Sequence, residues 1–225
     1  MRKYEGFMGE FLMDKHIQWY IQQRVERTIT NLERHNITGI FVPDKVELLT
    51  RLEQLIPETS VITVSDSVSL FESGVIDFLR NGNYTFLDKH REGISSEEKK
   101  EVYRKSFSSH TFICSTNALT EQGELYNIDG NGSRVAPMIY GPEQVIIVAG
   151  INKLVRNLEE AEQRVRQYAA PLDAKRLGKN TPCTRIGYCV DCSSEERICN
   201  DFVVIKRQFI KGRIKVIIVG KHFGY

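Results

Sequence analysis

Short apolar runs alternate with amphipathic stretches through the first half of the chain. Between residues 15 and 33, Ile17, Tyr20, Ile21, Val25, Ile29 and Leu32 recur at steps of three and four, so they share one face of a helix. An apolar run over 39–42 follows. Pro43 and Asp44 then restart the chain into a helix that carries Val46, Leu49, Leu52 and Leu55 or Ile56 and stops at Pro57. The run Val61–Val64 reads as a strand, with Ser65, Asp66 and Ser67 as N-cap candidates for a helix reaching Phe78 and Leu79. Asn81-Gly82-Asn83 closes that helix. Residues 84–87 read as a third strand, 96–107 as a charged helix and Thr111–Cys114 as a fourth strand. Apolar strands separated by amphipathic helices predict a mostly parallel sheet covered on both faces.

The pattern changes after Cys114. Residues 124–128, the turn Asp129-Gly130-Asn131-Gly132 and residues 134–140 read as an antiparallel hairpin. A buried strand is expected over 145–149 and a helix over 154–168. A polar loop follows over 183–199, and two last strands over 202–206 and Ile214–Val219. No repeat or Pro/Gly/Ser linker divides the chain. The expectation is an α/β fold, Rossmann-like, in one domain over 15–225, with an inserted antiparallel hairpin, a C-terminal cysteine loop and an N-terminal tail over 1–14.

Composition narrows the function classes. Thirty-one Lys and Arg against 29 Asp and Glu leave a net charge of +2 in 225 residues, and no basic stripe of the kind that binds nucleic acid stands out. No apolar run approaches membrane-spanning length, and residues 1–13 lack the continuous apolar segment of a signal peptide. A cytoplasmic protein is therefore expected, with neither nucleic acid nor membrane as partner. In a reducing compartment the cysteines, five in all, read as metal or redox chemistry before they read as disulfides.

Four of those cysteines form the pattern Cys183-x5-Cys189-x2-Cys192-x6-Cys199. Four thiolates complete a tetrahedral zinc site or hold an iron–sulfur cluster, and Arg185 and Arg197 favour thiolate over thiol. The spacing is neither the paired C-x2-C of zinc ribbons nor the plant-type ferredoxin run. Reduced, partly buried thiols are the bland alternative, and Cys114, ending an apolar strand, is expected in the core. A second candidate site is the polar stretch 115–124, which follows a strand, the place where open α/β sheets bind ligands. Thr116, Asn117 and Thr120 are set to hold an anionic or carbonyl group there, and Glu121 to act as acid, base or nucleophile. Asn131 and Arg134 border the same site in this reading, with Ser65 and Ser67 beside it and Lys153 on the rim. The alternative is ordinary capping by Thr and Asn with a solvated Glu. The G-x-G of the turn lacks the third glycine of a dinucleotide fingerprint, since Val135 stands there. There is no P-loop, G-x-S-x-G or H-E-x-x-H. Lys175, Arg176 and Lys179 read as a solvated patch able to meet a carboxylate or phosphate.

Several stretches resemble one family. The run Asn117-Ala118-Leu119-Thr120-Glu121-Gln122-Gly123-Glu124-Leu125-Tyr126-Asn127-Ile128-Asp129-Gly130-Asn131-Gly132-Ser133-Arg134-Val135-Ala136 is similar to the LUD, or lactate-utilisation domain, proteins. So are Gly150-Ile151-Asn152-Lys153, the segment Ala170-Pro171-Leu172-Asp173-Ala174-Lys175-Arg176-Leu177-Gly178, and Thr181-Pro182-Cys183 leading into Cys189-Val190-Asp191-Cys192. The resemblance covers most of the chain from about residue 15. It implies a fold akin to the sugar-phosphate isomerase, aminosugar-phosphate deaminase and CoA-transferase superfamily. Family members often carry a Gly-Gly-Ser turn after the second strand, where this chain has Ser65-Asp66-Ser67, and an Asp carboxylate there competes with an anionic ligand. The implied function is binding of a small anionic or acyl metabolite, as a subunit of a lactate-utilisation-like oxidoreductase with partner subunits. Two alternatives stand beside it. One is a free-standing CoA-transferase- or isomerase-like enzyme using Glu121. The other is a zinc- or iron–sulfur-binding interaction protein, alone or as a homo-oligomer.

Overall fold

The computed structural model describes residues 14–225, so the tail expected over 1–14 falls outside the described residues except for Asp14. That carboxylate accepts from the N–H of His16 and caps helix α1 (Lys15–Arg34), which turns Val25, Thr28 and Leu32 inward. Strand β1 (Thr38–Val42) leads into α2 (Lys45–Leu55), whose first turn is held by the Asp44 carboxylate on the N–H groups of Val46 and Glu47. After β2 (Val61–Val64) the expected single helix is two, α3 (Val68–Glu72) and α4 (Val75–Asn81). Gly74 between them has φ +78°, a left-handed turn that ends one helix and starts the next. Then come β3 (Thr85–Phe86), α5 (Ser96–Lys105), β4 (Thr111–Cys114), β5 (Ala118–Thr120) and β6 (Leu125–Asp129). Helix α6 (Val135–Ile139), β7 (Gln144–Gly150) and β8 (Leu154–Val155) follow. The chain continues through α7 (Leu158–Arg164), α8 (Ala170–Arg176), α9 (Cys183–Ile186), β9 (Asp201–Ile205) and β10 (Ile214–Val219).

Six strands form one parallel sheet in the order β1-β10-β7-β4-β2-β3. The central strands are mostly apolar because both faces are covered, with Thr63, Thr111, Gln144 and Lys215 as their polar positions. On one face Ile113, Ile146, Val148 and Ile217 pack against α2, α3 and α4 through Leu48, Leu52, Leu70 and Leu79. On the other, Phe112, Val145, Ile147 and Val216 meet α1 and α6 through Val25, Leu32 and Met138. A second sheet, β8-β5-β6-β9, stands beyond the carboxyl end of β4.

Two elements depart from the sequence reading. Residues 134–140 are not the second arm of a hairpin. Both edges of β6 are already taken, by antiparallel β5 and β9, and the Asp129 carboxylate accepts from the N–H groups of Arg134 (2.9 Å) and Val135 (3.1 Å), which starts α6 instead. The helix expected over 154–168 begins only at Leu158, because Leu154 and Val155 extend the second sheet beside β5. It then continues through a π turn, Val165–Ala169, into α8. Pro171 has no N–H to give to the preceding turn, and the wider π spacing accommodates the missing donor.

Candidate functional site

The chain steps outward from β2 to β3 and then returns through β4, β7 and β10, so the strand order reverses between β2 and β4. Ligand sites in open α/β sheets lie at such a reversal, beyond the carboxyl ends of the strands. A cleft of about 400 Å³ opens there. Asp66 and Ser67 after β2, Ser115, Thr116 and Asn117 after β4, and Lys153 after β7 reach it from the sheet. Asn131 and Arg134 come from beyond β6, while Asp173, Arg176 and Arg197 close the far side.

Lys153 ends the short turn after β7. Its side chain is buried, and its Nζ donates to Ser115 Oγ at 3.0 Å. Burial, reinforced by the charges of Arg164 and Arg134, lowers the ammonium from its ordinary 10.5 to about 7, with Glu72 and Asp173 opposing the shift. Arg134 is spent on architecture. One terminal nitrogen donates to Ser115 O and Asn127 Oδ1, the other to Asn117 Oδ1 (2.7 Å) and Ile128 O (2.6 Å). It thus presents fixed positive charge but no free fork for a carboxylate.

The other expected residues divide. Thr116 and Asn117 line the cleft while bracing the second sheet, through Thr116 Oγ1 donating to Ala118 O and Tyr126 O and through Asn117 Oδ1 accepting from Ile128 N–H. Asn131 Oδ1 accepts from Ser133 N–H in the turn. Ser67 caps α3 without a side-chain capping bond and leaves its hydroxyl on the cleft. Ser65 is buried just behind, its Oγ without a hydrogen-bond partner among the described residues. Thr120 and Glu121 are not brought to the cleft. They lie on and just after β5, where Glu121 Oε1 accepts from Arg24 Nε (2.6 Å) and Oε2 from Arg27 (2.7 Å), tying α1 to the second sheet. Thr120 Oγ1 donates to Glu124 within its own turn.

Sequence reasoning missed a charged cluster on the cleft wall. Lys89 is 2% exposed and its Nζ sits 3.0 Å from Asp66 Oδ2, which also accepts from Tyr103 OH at 2.9 Å. Burial, the largest single influence, raises the Asp66 carboxyl, but the Lys89 ammonium, the Tyr103 hydroxyl and His90 together hold Asp66 below its ordinary value. Burial pulls Lys89 down and pushes the Tyr103 phenol up. The Asp66 charge that would repel an anion at this turn is therefore answered by Lys89. The available signal was position: Asp88-Lys89-His90 follows β3 at the carboxyl edge of the sheet.

The four late cysteines line a separate small cavity of about 20 Å³ with Ala170, Ala174, Thr181, Val190, Arg197 and Ile198. Burial, with Cys189, Arg197 opposing, Cys183 and Cys192 in decreasing weight, raises Cys199 to about 11. Hydrogen bonds from Ser194 lower Cys192. Among the described residues, no three His, Cys, Asp or Glu side chains are gathered so that they could hold a single metal ion. Cys114 lies in the core, its thiol raised by burial to about 12.

The family model described as the LUD domain matches residues 25–219. The chain belongs to the LUD domain family. The chain is also similar to a solved DUF162 family protein from Deinococcus radiodurans, 10% identical, with 88% of this chain and 98% of that chain covered and a TM-score of 0.48. No curated protein matches the chain. Among the described residues, no helix is long and apolar enough to cross a membrane.

Proposed function

We propose that this LUD domain binds a small metabolite bearing a carboxylate or phosphate, free or as an acyl group, in the cleft at the strand-order reversal, and serves a lactate-utilisation-type oxidation together with oxidoreductase partner subunits. The observation that carries the reading is Lys153, a buried ammonium whose hydrogen bond goes to a neutral hydroxyl. A buried cation without a carboxylate at contact distance is costly for the fold and is retained where a ligand supplies the missing charge. Arg134 adds fixed positive charge, and Arg176 and Arg197 stand on the rim.

An anion seated on Lys153 raises its pKa and takes up a proton. Calorimetry with pyruvate, L-lactate, acetyl-CoA and inorganic phosphate tests this in buffers of different ionisation enthalpy. The expected result is binding of at least one of them, with proton uptake, weakening as pH rises through about 7 and abolished in Lys153→Met. Binding that is insensitive to both pH and the substitution would overturn the reading.

The same lysine favours a second reading as an enzyme. An amine that titrates near neutral pH is suited to general-base work or to attack on a carbonyl. In that case Lys153 takes the place that the sequence assigned to Glu121. Deuterium exchange into the methyl group of pyruvate, followed by proton NMR on wild type and Lys153→Met, distinguishes catalysis from binding alone.

A further inference from the structure

The segment from Cys183 to Cys199 closes on a cavity of about 20 Å³ lined by all four of its cysteines, room for about one water molecule. Among the described residues no three ligating side chains gather around one ion position, so the chemistry these thiols share is pairwise. The backbone brings Cys189 and Cys192 together. Between them Asp191 adopts φ +50°, a left-handed residue that turns the chain back on itself and sets its N–H 3.3 Å from Cys189 Sγ. The Cys189 N–H donates to Arg166 O at 3.0 Å, and the Arg166 guanidinium reaches the Cys189 sulfur at 3.9 Å. Arg197 holds the other side of the turn. It donates to the carbonyl oxygens of Cys192 and Cys199 and pairs with Asp191 at 2.8 Å.

The four thiols are not equivalent. Cys192 accepts hydrogen bonds from the side chain and the backbone of Ser194, which favour its thiolate, the form that attacks. Cys189 and Cys192 are only partly buried, and Tyr188 and Val190 beside them are exposed, so a small molecule reaches this pair from solvent. Cys199 is the opposite case, its thiol raised by burial and held as a poor nucleophile. Cys183 starts α9, with its sulfur 3.2 Å from the Thr181 hydroxyl.

We propose that Cys189 and Cys192 form a redox dithiol that exchanges with small-molecule disulfides. The Cys192 thiolate attacks one sulfur of such a disulfide, forming a mixed disulfide and expelling a thiolate that takes up a proton. The Cys189 thiol then loses its proton to solvent and attacks the Cys192 sulfur, which closes the Cys189–Cys192 bond and expels the second small thiolate to be protonated in turn. Two electrons pass from the protein pair to the small disulfide, and the two protons leaving the protein balance the two taken up by the released thiols. The reverse reaction with a small thiol in excess restores the dithiol.

The test uses the full chain, fully reduced and then equilibrated anaerobically with oxidised and reduced glutathione in a series of ratios. Free thiols are alkylated and the disulfides mapped by peptide mass spectrometry. The expected result is one intramolecular disulfide, Cys189–Cys192, that opens again as reduced glutathione is raised. Cys189→Ser is expected to accumulate a glutathionyl group on Cys192, because the attacking thiol remains and the closing one is gone. Cys192→Ser is expected to slow mixed-disulfide formation at least about tenfold. Cys183→Ser and Cys199→Ser are expected to close the Cys189–Cys192 bond as the wild type does. Four thiols that stay free at every ratio, a disulfide that includes Cys183 or Cys199 instead, or a Cys189→Ser protein that takes up no glutathione would each overturn the proposal. None of these outcomes depends on Lys153, so the cleft reading and the dithiol stand or fall separately.

Discussion

Replacing Lys153 by methionine should make the protein more stable at neutral pH. In the unfolded chain the amine stays protonated up to about 10.5, whereas in the fold it gives up its proton above about 7. Between those values the unfolded state binds more protons, so stability rises with pH across the window and its lysine-linked part is fully lost below about 7. A depression of that size corresponds at its ceiling to roughly 5 kcal/mol. Methionine removes the penalty while keeping an unbranched side chain of similar length. The cost is the hydrogen bond to Ser115, about 1 kcal/mol. A net gain of about 2 kcal/mol or more is therefore expected near pH 7, shrinking toward zero near pH 10. Urea unfolding of both proteins at a series of pH values, followed by circular dichroism, isolates the Lys153 contribution because every other titrating group is common to the two. A stability difference independent of pH, or a variant less stable at pH 7, would refute the argument that the ammonium is buried without compensation.

Glu121→Gln should cost ~1–2 kcal/mol by weakening the tie to Arg24 and the half-exposed Arg27, while calorimetry finds metabolite binding at the cleft unchanged; lost binding with intact stability would restore Glu121 to the site. Gly123→Ala should destabilise by about 2 kcal/mol or more in chemical denaturation, since Gly123 has φ +82° and a Cβ there would stand 2.8 Å from the backbone N of Leu32 in α1. Ser95→Ala removes one half of the capping box with Glu98 and should lower stability by ~1 kcal/mol; no change in the unfolding midpoint would show that α5 does not depend on its cap.

What the sequence disclosed followed from what is local. The strands of the parallel sheet were legible because two-sided burial leaves short apolar runs, such as 112–114 and 216–219. The placement of Thr116, Asn117, Asn131, Arg134 and Lys153 around one cleft followed from the rule about strand ends. Helix α6 was illegible because the groups that start it are the carboxylate of Asp129 and the occupied edges of β6, neither visible in residues 134–140. Glu121 looked like a reactive group in a polar loop because its two arginine partners lie on α1, far away in sequence. Lys89 was passed over because a lysine between charged neighbours reads as solvated, and only the tertiary fold buries it.

The first and last strands of the parallel sheet are hydrogen-bonded neighbours. β10 fits between β1 and β7, so that Thr38 faces Lys215 and Val42 faces Val219. On a ribosome, β1 is made early and must wait for nearly all of the described chain before its partner emerges. Until then β7 and β1 both present open edges, the kind of surface on which chains pair wrongly. A product cut short before Ile214 would lose more than one strand, because β1 would be left with no place in the sheet and β7 would become an exposed apolar edge. Shortening this protein from its carboxyl side is therefore expected to yield aggregates, whatever the cleft binds.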